Sequence, residues 1–195
     1  MLKHPLQIFL TLLVLIGFCQ STLAEESLDA KGWFEKGNEL SREGKFSDAA
    51  QAYQQSIQLS DQSPVAYYNL GIALKKMQQF DQALLAFEKT VALESTHLDG
   101  WLSLGNIYNR LERWEDAIGA LNQVVHRRQN DAEAHGNLGW ALYNYRDGPP
   151  FKYLVIINLQ KATDLFEQQN LPQAARATGE VLQEAKIKFG FNNQN

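Results

Sequence analysis

Residues 101–121 read WLSLGNIYNRLERWEDAIGAL. Trp101, Leu104, Gly105 and Tyr108 step by three, one and three, a spacing that puts them on one face of a helix. Beyond a short turn, Leu111, Ala117, Leu121 and Val124 give a second apolar face. The stretch therefore predicts two antiparallel helices joined by a tight link. Neither helix can bury its apolar face alone, so the pair needs neighbours of the same kind.

The neighbours are present in the chain. Gly37, Gly71, Gly105 and Gly139 stand 34 residues apart. Four positions before each glycine come Trp33, Tyr67, Trp101 and His135, and three after come Leu40, Leu74, Tyr108 and Leu142. Nine after come Phe46, Phe80 and Trp114. Ala49, Ala83 and Ala117 follow at twelve, and Tyr53, Phe87 and Leu121 at sixteen. Glycine and alanine are small where two backbones must approach, and the large aromatics fill the space around that contact. A fixed period of this kind marks a repeat array, which acts through a surface built by several units together.

The pattern W-x2-L-G-x2-Y followed by A-x3-F at this period is similar to the tetratricopeptide repeat. The third unit carries it as Trp101, Leu104, Gly105, Tyr108, Ala117 and Leu121, the second as Tyr67, Leu70, Gly71, Leu74, Ala83 and Phe87. The first is looser, with Lys36 in the leucine place and Leu40 in the tyrosine place. The resemblance covers about residues 30 to 165. It implies an all-α, right-handed solenoid of antiparallel helix pairs. Repeats are expected over 30–63, 64–97 and 98–131, with a divergent fourth over 132–168, a capping helix over 169–189 and a flexible tail over 190–195. The scaffold serves many tasks, so fold alone does not give function.

Helices are expected near 29–43, 46–59, 64–77, 80–93, 97–111, 114–128, 131–145, 151–168 and 172–189. Ser63-Pro64 places an N-cap before a first-turn proline. Thr96 with Asp99 resembles a capping box, and Asn130-Asp131 opens the fourth repeat. That repeat is stretched by four residues around the turn signal Asp147-Gly148-Pro149-Pro150. The helix after it, from Phe151 to Leu159, is apolar nearly all round. Two readings follow: it is sandwiched under the last helix, or it exposes a patch for a partner. The last helix carries the stripe Leu171, Ala174, Thr178, Val181, Leu182, Ala185 and Phe189, with Gln173, Arg176, Gln183 and Glu184 free for the outer side of a lid.

The first 24 residues read differently. Lys3 precedes the apolar run Leu6–Phe18, 13 residues long and short of the roughly 20 that span a bilayer. Thr22-Leu23-Ala24 offers the small residues that an export peptidase reads. Residues 1–24 are expected to be a cleaved signal peptide followed by a short linker over 25–29, with an uncleaved membrane anchor as the alternative. Phe18 is too bulky to precede a lipidated Cys19. Cleavage would remove the only cysteine, and with it disulfides, thiolate metal sites and cysteine nucleophiles. It would leave 17 basic and 22 acidic side chains, a formal charge of −5. The expected location is an exported space, periplasm or thylakoid lumen. No long basic run points to nucleic acid.

Motifs for chemistry are missing from the sequence. His97, His126 and His135 lie far apart, and no H-x3-H or H-E-x2-H spacing occurs. His135 holds the place of Trp33 and Trp101, and His126-Arg127-Arg128 suits a helix C-terminus. There is no nucleophile elbow, metal loop or phosphate loop. The expectation is a non-enzymatic protein with no catalytic residues, no metal and no cofactor, and with no small-molecule substrate. An enzyme built at the Asp147–Pro150 loop is a third reading for which no reaction can be named.

In proteins of this family the first helix of each pair lines the concave surface. The resemblance therefore assigns the groove to Phe34, Asn38 and Arg42; to Tyr68, Asn69, Ile72, Lys75 and Lys76; to Asn106, Asn109 and Arg110; and to Asn137, Trp140 and Tyr143. The amides of Asn38, Asn69, Asn106 and Asn137 can pair with the backbone of an extended peptide, although Asn69 and Asn137 equally suit packing roles. Arg42, Lys75, Lys76 and Arg110 can attract an acidic segment or simply solvate helix ends. Tyr68, Trp140 and Tyr143 are stiff anchors. Phe34 stands where the lysine of the family's carboxylate clamp is required, so that clamp does not carry over. The expected function is an interaction scaffold or assembly adaptor that binds an extended or acidic segment of another protein, in association with a membrane complex. The alternative is a structural module that self-associates through the fourth repeat.

Overall fold

The computed structural model describes residues 28–145 and 151–191. Among them are nine helices and no strand. They are α1 (Ala30–Arg42), α2 (Phe46–Leu59), α3 (Pro64–Lys76), α4 (Phe80–Leu93), α5 (Leu98–Arg110), α6 (Trp114–Arg127), α7 (Ala132–Asn144), α8 (Lys152–Gln168) and α9 (Pro172–Phe189). Every boundary falls within one residue of the position read from the sequence. The expected signal segment, the inserted turn at Asp147–Pro150 and the tail from Asn192 onward lie outside the described residues.

Each helix packs first against its own partner and then against the first helix of the next unit, so the chain stacks as an all-α solenoid. The repeat glycines explain the close pairing. A Cβ on Gly71 would lie 2.6 Å from Phe87 Cε1 and 2.8 Å from its Cδ1. Gly37 faces Tyr53, Gly105 faces Leu121 and Gly139 faces Leu159 in the same way. The residue sixteen positions on, or its fourth-repeat equivalent, thus occupies the volume that the glycine leaves open. Ala49, Ala83 and Ala117 are fully buried on the opposing helix.

The turns inside the repeats share one geometry. Gly44, Gln78 and Glu112, again 34 residues apart, all have left-handed backbones with φ of 76°, 61° and 56°. Lys45, Gln79 and Arg113 each donate a backbone bond to the carbonyl five residues earlier, at 2.9 Å. This is the Schellman closure, and Asn170 repeats it between α8 and α9. Only the first turn uses glycine. Gln78 and Glu112 hold the same conformation with a side chain, which costs about 1 kcal/mol each.

The N-caps at Ser63 and Asp131 form as expected, accepting from the amides of Ala66 and Ala134. The one predicted at Thr96 does not. His97 caps α5 instead, with Nδ1 accepting from the Gly100 amide at 3.0 Å, while Thr96 turns to Glu94. The imidazole is long enough to reach its own first turn and also stacks on Tyr68, which a threonine cannot do. His135 bridges Asn158 and the Gln129 carbonyl, in keeping with a structural role.

Helix α8 is buried on one face and exposed on another. Val155, Asn158, Leu159, Ala162 and Leu165 are buried. Tyr153, Leu154 and Ile157 are exposed, as is Ile187 on α9. The α9 stripe also shifts: Ala175, Leu182 and Ala185 are its buried residues, and Leu171 is exposed. Residue 171 falls in the turn before α9 begins, so it escapes the helical face that the spacing assigned to it.

Candidate functional site

The inner side of the stack is built by α1, α3, α5 and α7. Positions two before and one after the repeat glycine meet across neighbouring units. Asn69 Nδ2 donates to Asn38 Oδ1 at 2.9 Å, and the Tyr53 hydroxyl donates to the same oxygen at 2.9 Å. Two repeats further on, Asn137 Nδ2 donates to Asn106 Oδ1 at 2.6 Å, and Asn106 Nδ2 donates to Glu133 Oε1 at 2.8 Å. Between the second and third repeats these places hold Ile72 and Ser103, so no amide pair forms there.

The four amides are thus not a row open to a peptide backbone. They are inter-repeat bonds, joining repeat one to two and three to four. A side-chain amide on one helix finds its nearest strong partner on the adjacent helix, and each such bond contributes about 0.5–1.5 kcal/mol. Asn109 is drawn in as well: Nδ2 donates to the Asn137 carbonyl at 2.9 Å, and its buried Oδ1 has no hydrogen-bond partner among the described residues.

The aromatics also take structural partners. Phe34 packs against Tyr53 with ring centres 5.9 Å apart, and Tyr68 lies between Phe87 at 5.7 Å and His97 at 4.8 Å. Burial pushes the Tyr68 hydroxyl above the usual tyrosine range. Tyr143 is held by Phe189 and by Lys188, whose Nζ sits 4.1 Å over the ring. Trp140 leans on Tyr143 but stays 39% exposed.

Two of the four cations take partners within the chain. Arg42 Nε donates to the Asn38 carbonyl, and the Arg110 guanidinium stacks 4.3 Å over Phe80. Lys75 and Lys76 form no ion pair with the described residues. Arg128, which the sequence reading gave to a helix end, reaches Asp99 across repeats at 2.5 Å and holds that carboxyl below the usual range through this hydrogen bond.

Two hollows open on the inner side. One, of about 410 Å³, is lined by Asn38, Ser41, Arg42, Tyr53, Asn69 and Ile72. The other, of about 320 Å³, lies between α7 and α9 over α8. Glu133, Gly136, Asn137 and Trp140 line it from α7, Leu159 and Phe166 from α8, and Ala174, Ala177, Thr178 and Val181 from α9. The sequence reading named Asn137 and Trp140 here but missed Glu133 and Gly136. The signal was available: three before the repeat glycine the series runs Phe34, Tyr68, Leu102, Gly136. Among the described residues no group of three metal-binding side chains occurs, and no helix is long and apolar enough to cross a membrane.

Family models match over this same region. A TPR-repeat model covers residues 37–78 and a tetratricopeptide-repeat model covers residues 74–139, together more than half of the chain. The chain belongs to the tetratricopeptide repeat family. Solved structures of TPR proteins share the fold. YrrB, described as a TPR protein with an unusual peptide-binding site, is 19% identical with a TM-score of 0.65, over 89% of this chain and 93% of its own. MamA from Desulfovibrio magneticus RS-1 is 21% identical with a TM-score of 0.64, over 85% and 97%. The first TPR of Spaghetti (RPAP3), bound to the HSP90 peptide SRMEEVD, is 24% identical with a TM-score of 0.56, over 61% and 94%. At these identities the likeness concerns the fold. No curated protein matches the chain.

Proposed function

We propose that this TPR protein is a non-enzymatic interaction scaffold whose inner surface holds an extended segment of another protein. The observation that carries the reading is the pair of hollows at the two ends of the stack, one lined mainly by α1 and α3 and the other by α7 with α8 and α9. Two TPR proteins of the same fold support the choice: YrrB has an unusual peptide-binding site, and the first TPR of RPAP3 is bound to an HSP90 peptide. Because the amides are mutually bonded, recognition falls to the surfaces between them: Ile72 and Lys75 at one end, Gly136 and Trp140 at the other. Lys75 and Lys76 favour an acidic stretch near the first hollow. The apolar run Leu6–Phe18 followed by Thr22-Leu23-Ala24 supports an exported setting.

A photoreactive amino acid placed at Ile72, with the outer-face residue Leu85 as control, tests the reading in the native compartment. A partner segment crosslinked from position 72 and not from position 85 is the expected result. Crosslinks from the outer face alone reject it.

One observation favours a second role. Tyr153, Leu154 and Ile157 on α8 and Ile187 on α9 are exposed, the last two at 61% and 60%. They can support self-association through the fourth repeat. Sedimentation at high micromolar concentration decides it, because a chain that stays monomeric there does not use this face.

A further inference from the structure

We propose that the hollow between α7 and α9 is an anchor pocket for one large apolar side chain of the bound segment, with a basic residue beside it that pairs with Glu133. The proposal rests on the peptide-binding reading above and goes further by naming the chemistry of the anchor.

The internal repeats show what the space is shaped for. Phe34 packs on Tyr53 and Tyr68 packs on Phe87, each side chain lying over the large residue of its own second helix. Leu102 takes the same place in the third unit and is half-buried. In the fourth unit the position is Gly136, while the large residue below it, Leu159, is still present and lines the hollow. The solenoid has left out one filler side chain and kept its seat.

Nothing on α9 replaces that filler. The α9 residues facing the space are Ala174, Ala177, Thr178 and Val181, all short. The volume of about 320 Å³ sits at the bottom of the roughly 300–1,000 Å³ range of ligand sites and is ample for one large side chain. Trp140 stands at the mouth where the other repeats have Asn38, Ile72 and Asn106, giving a rigid exposed ring to close against an aromatic or branched aliphatic group. Glu133 is the only charged residue of the lining. It is exposed, its Oε1 accepts only the neutral Asn106 amide, and it forms no ion pair with the described residues, so its charge is complementary to a lysine or arginine next to the anchor.

The test uses the full chain, isotopically labelled, and three short acetylated peptides that differ only at a central pair: Phe-Lys, Ala-Lys and Phe-Glu. The Phe-Lys peptide should shift the amides of Gly136 and Thr178 and the indole of Trp140. Burial of the ring is worth roughly tenfold or more in affinity, so Ala-Lys should bind at least that much more weakly. Phe-Glu should lose several-fold, and Glu133→Gln should narrow the gap between the Lys and Glu peptides. Gly136→Phe supplies the missing filler from within and should abolish the pocket shifts while the protein stays folded, which unchanged shifts in repeats one and two would show.

Equal binding of the Phe and Ala peptides, or shifts confined to the hollow at Asn38 and Ile72, would overturn the proposal. A native segment crosslinked from position 72 that binds Gly136→Phe as tightly as the parent overturns the pocket and leaves the peptide reading standing. Crosslinks from position 85 alone overturn the reading on which the pocket depends. Dimerisation that Gly136→Phe abolishes would make a second copy of the chain the occupant and overturn the partner segment.

Discussion

The same substitution at two glycines should have opposite signs. Alanine is a better helix former than glycine by about 0.5–1 kcal/mol in a helix interior, and Gly71 and Gly136 both lie inside helices. At Gly136 the new methyl would meet Ala162 Cβ at 3.5 Å, Phe166 Cε2 at 3.8 Å and Thr178 Oγ1 at 4.0 Å, ordinary van der Waals contacts. The full propensity gain should appear, so Gly136→Ala is expected to stabilise by about 0.5–1 kcal/mol. At Gly71 the methyl would lie 2.6 to 2.8 Å from three atoms of the Phe87 ring. That ring is fully buried and cannot swing into solvent. Overpacking of this kind costs about 1–3 kcal/mol, which exceeds the propensity gain and leaves a net loss of about 1 kcal/mol. The two variants should therefore differ by about 2 kcal/mol. With a urea slope of about 2 kcal/mol/M, their unfolding midpoints by far-ultraviolet circular dichroism should stand about 1 M apart, on either side of the parent. A Gly71→Ala protein as stable as the parent, or more so, would refute the reasoning. It would mean that α4 can slide off α3 and that Phe87 does not enforce the glycine.

Three further outcomes are expected. In a double-mutant cycle, Asn106→Ala and Asn137→Ala should show a coupling of about 0.5–1.5 kcal/mol in urea unfolding; additive effects would mean that the amide pair does not join repeats three and four. Gln78→Gly should raise stability by about 1 kcal/mol in the same assay, because glycine adopts the left-handed backbone without strain. The Tyr108 hydroxyl is pushed up to about 12, first by burial and then by its hydrogen bond to Glu88. A raised folded value favours the protonated form in the native state, so this contribution is intact below the unfolded tyrosine value of about 10 and is lost as pH rises through about 12. Stability measured across that window should fall less steeply for Tyr108→Phe than for the parent.

The helices were legible in the sequence because their signals are local. Apolar spacing at three and four residues, Ser63-Pro64 and Asn130-Asp131 each act within one turn of chain, and the helix ends followed to within one residue. His97 was missed as a cap because the sequence preference for Ser, Thr, Asp and Asn hides an imidazole that reaches the same amide. The left-handed backbones at Gln78 and Glu112 were missed because neither is glycine. Only comparison with Gly44, one and two periods earlier, would have shown them. For the groove, the sequence named residues on the right helices but assigned their hydrogen bonds to an absent partner. An amide's partners depend on which helix stands next to it, and Asn38 and Asn69 are 31 residues apart in the chain.

By itself, then, the sequence determined the repeat, the helix pairs and the place where the fourth unit departs from the other three. Those follow from periodicity, capping and the small-residue rule, all of which repeat within a single unit. Tertiary structure alone decided which inner-face side chains are spent on neighbours and which space is left over. Phe34 and Tyr68 fill seats of their own repeats, and Gly136 leaves its seat open between α7 and α9. An empty volume belongs to no residue: it exists only where three helices meet and none of them supplies the side chain that would close it.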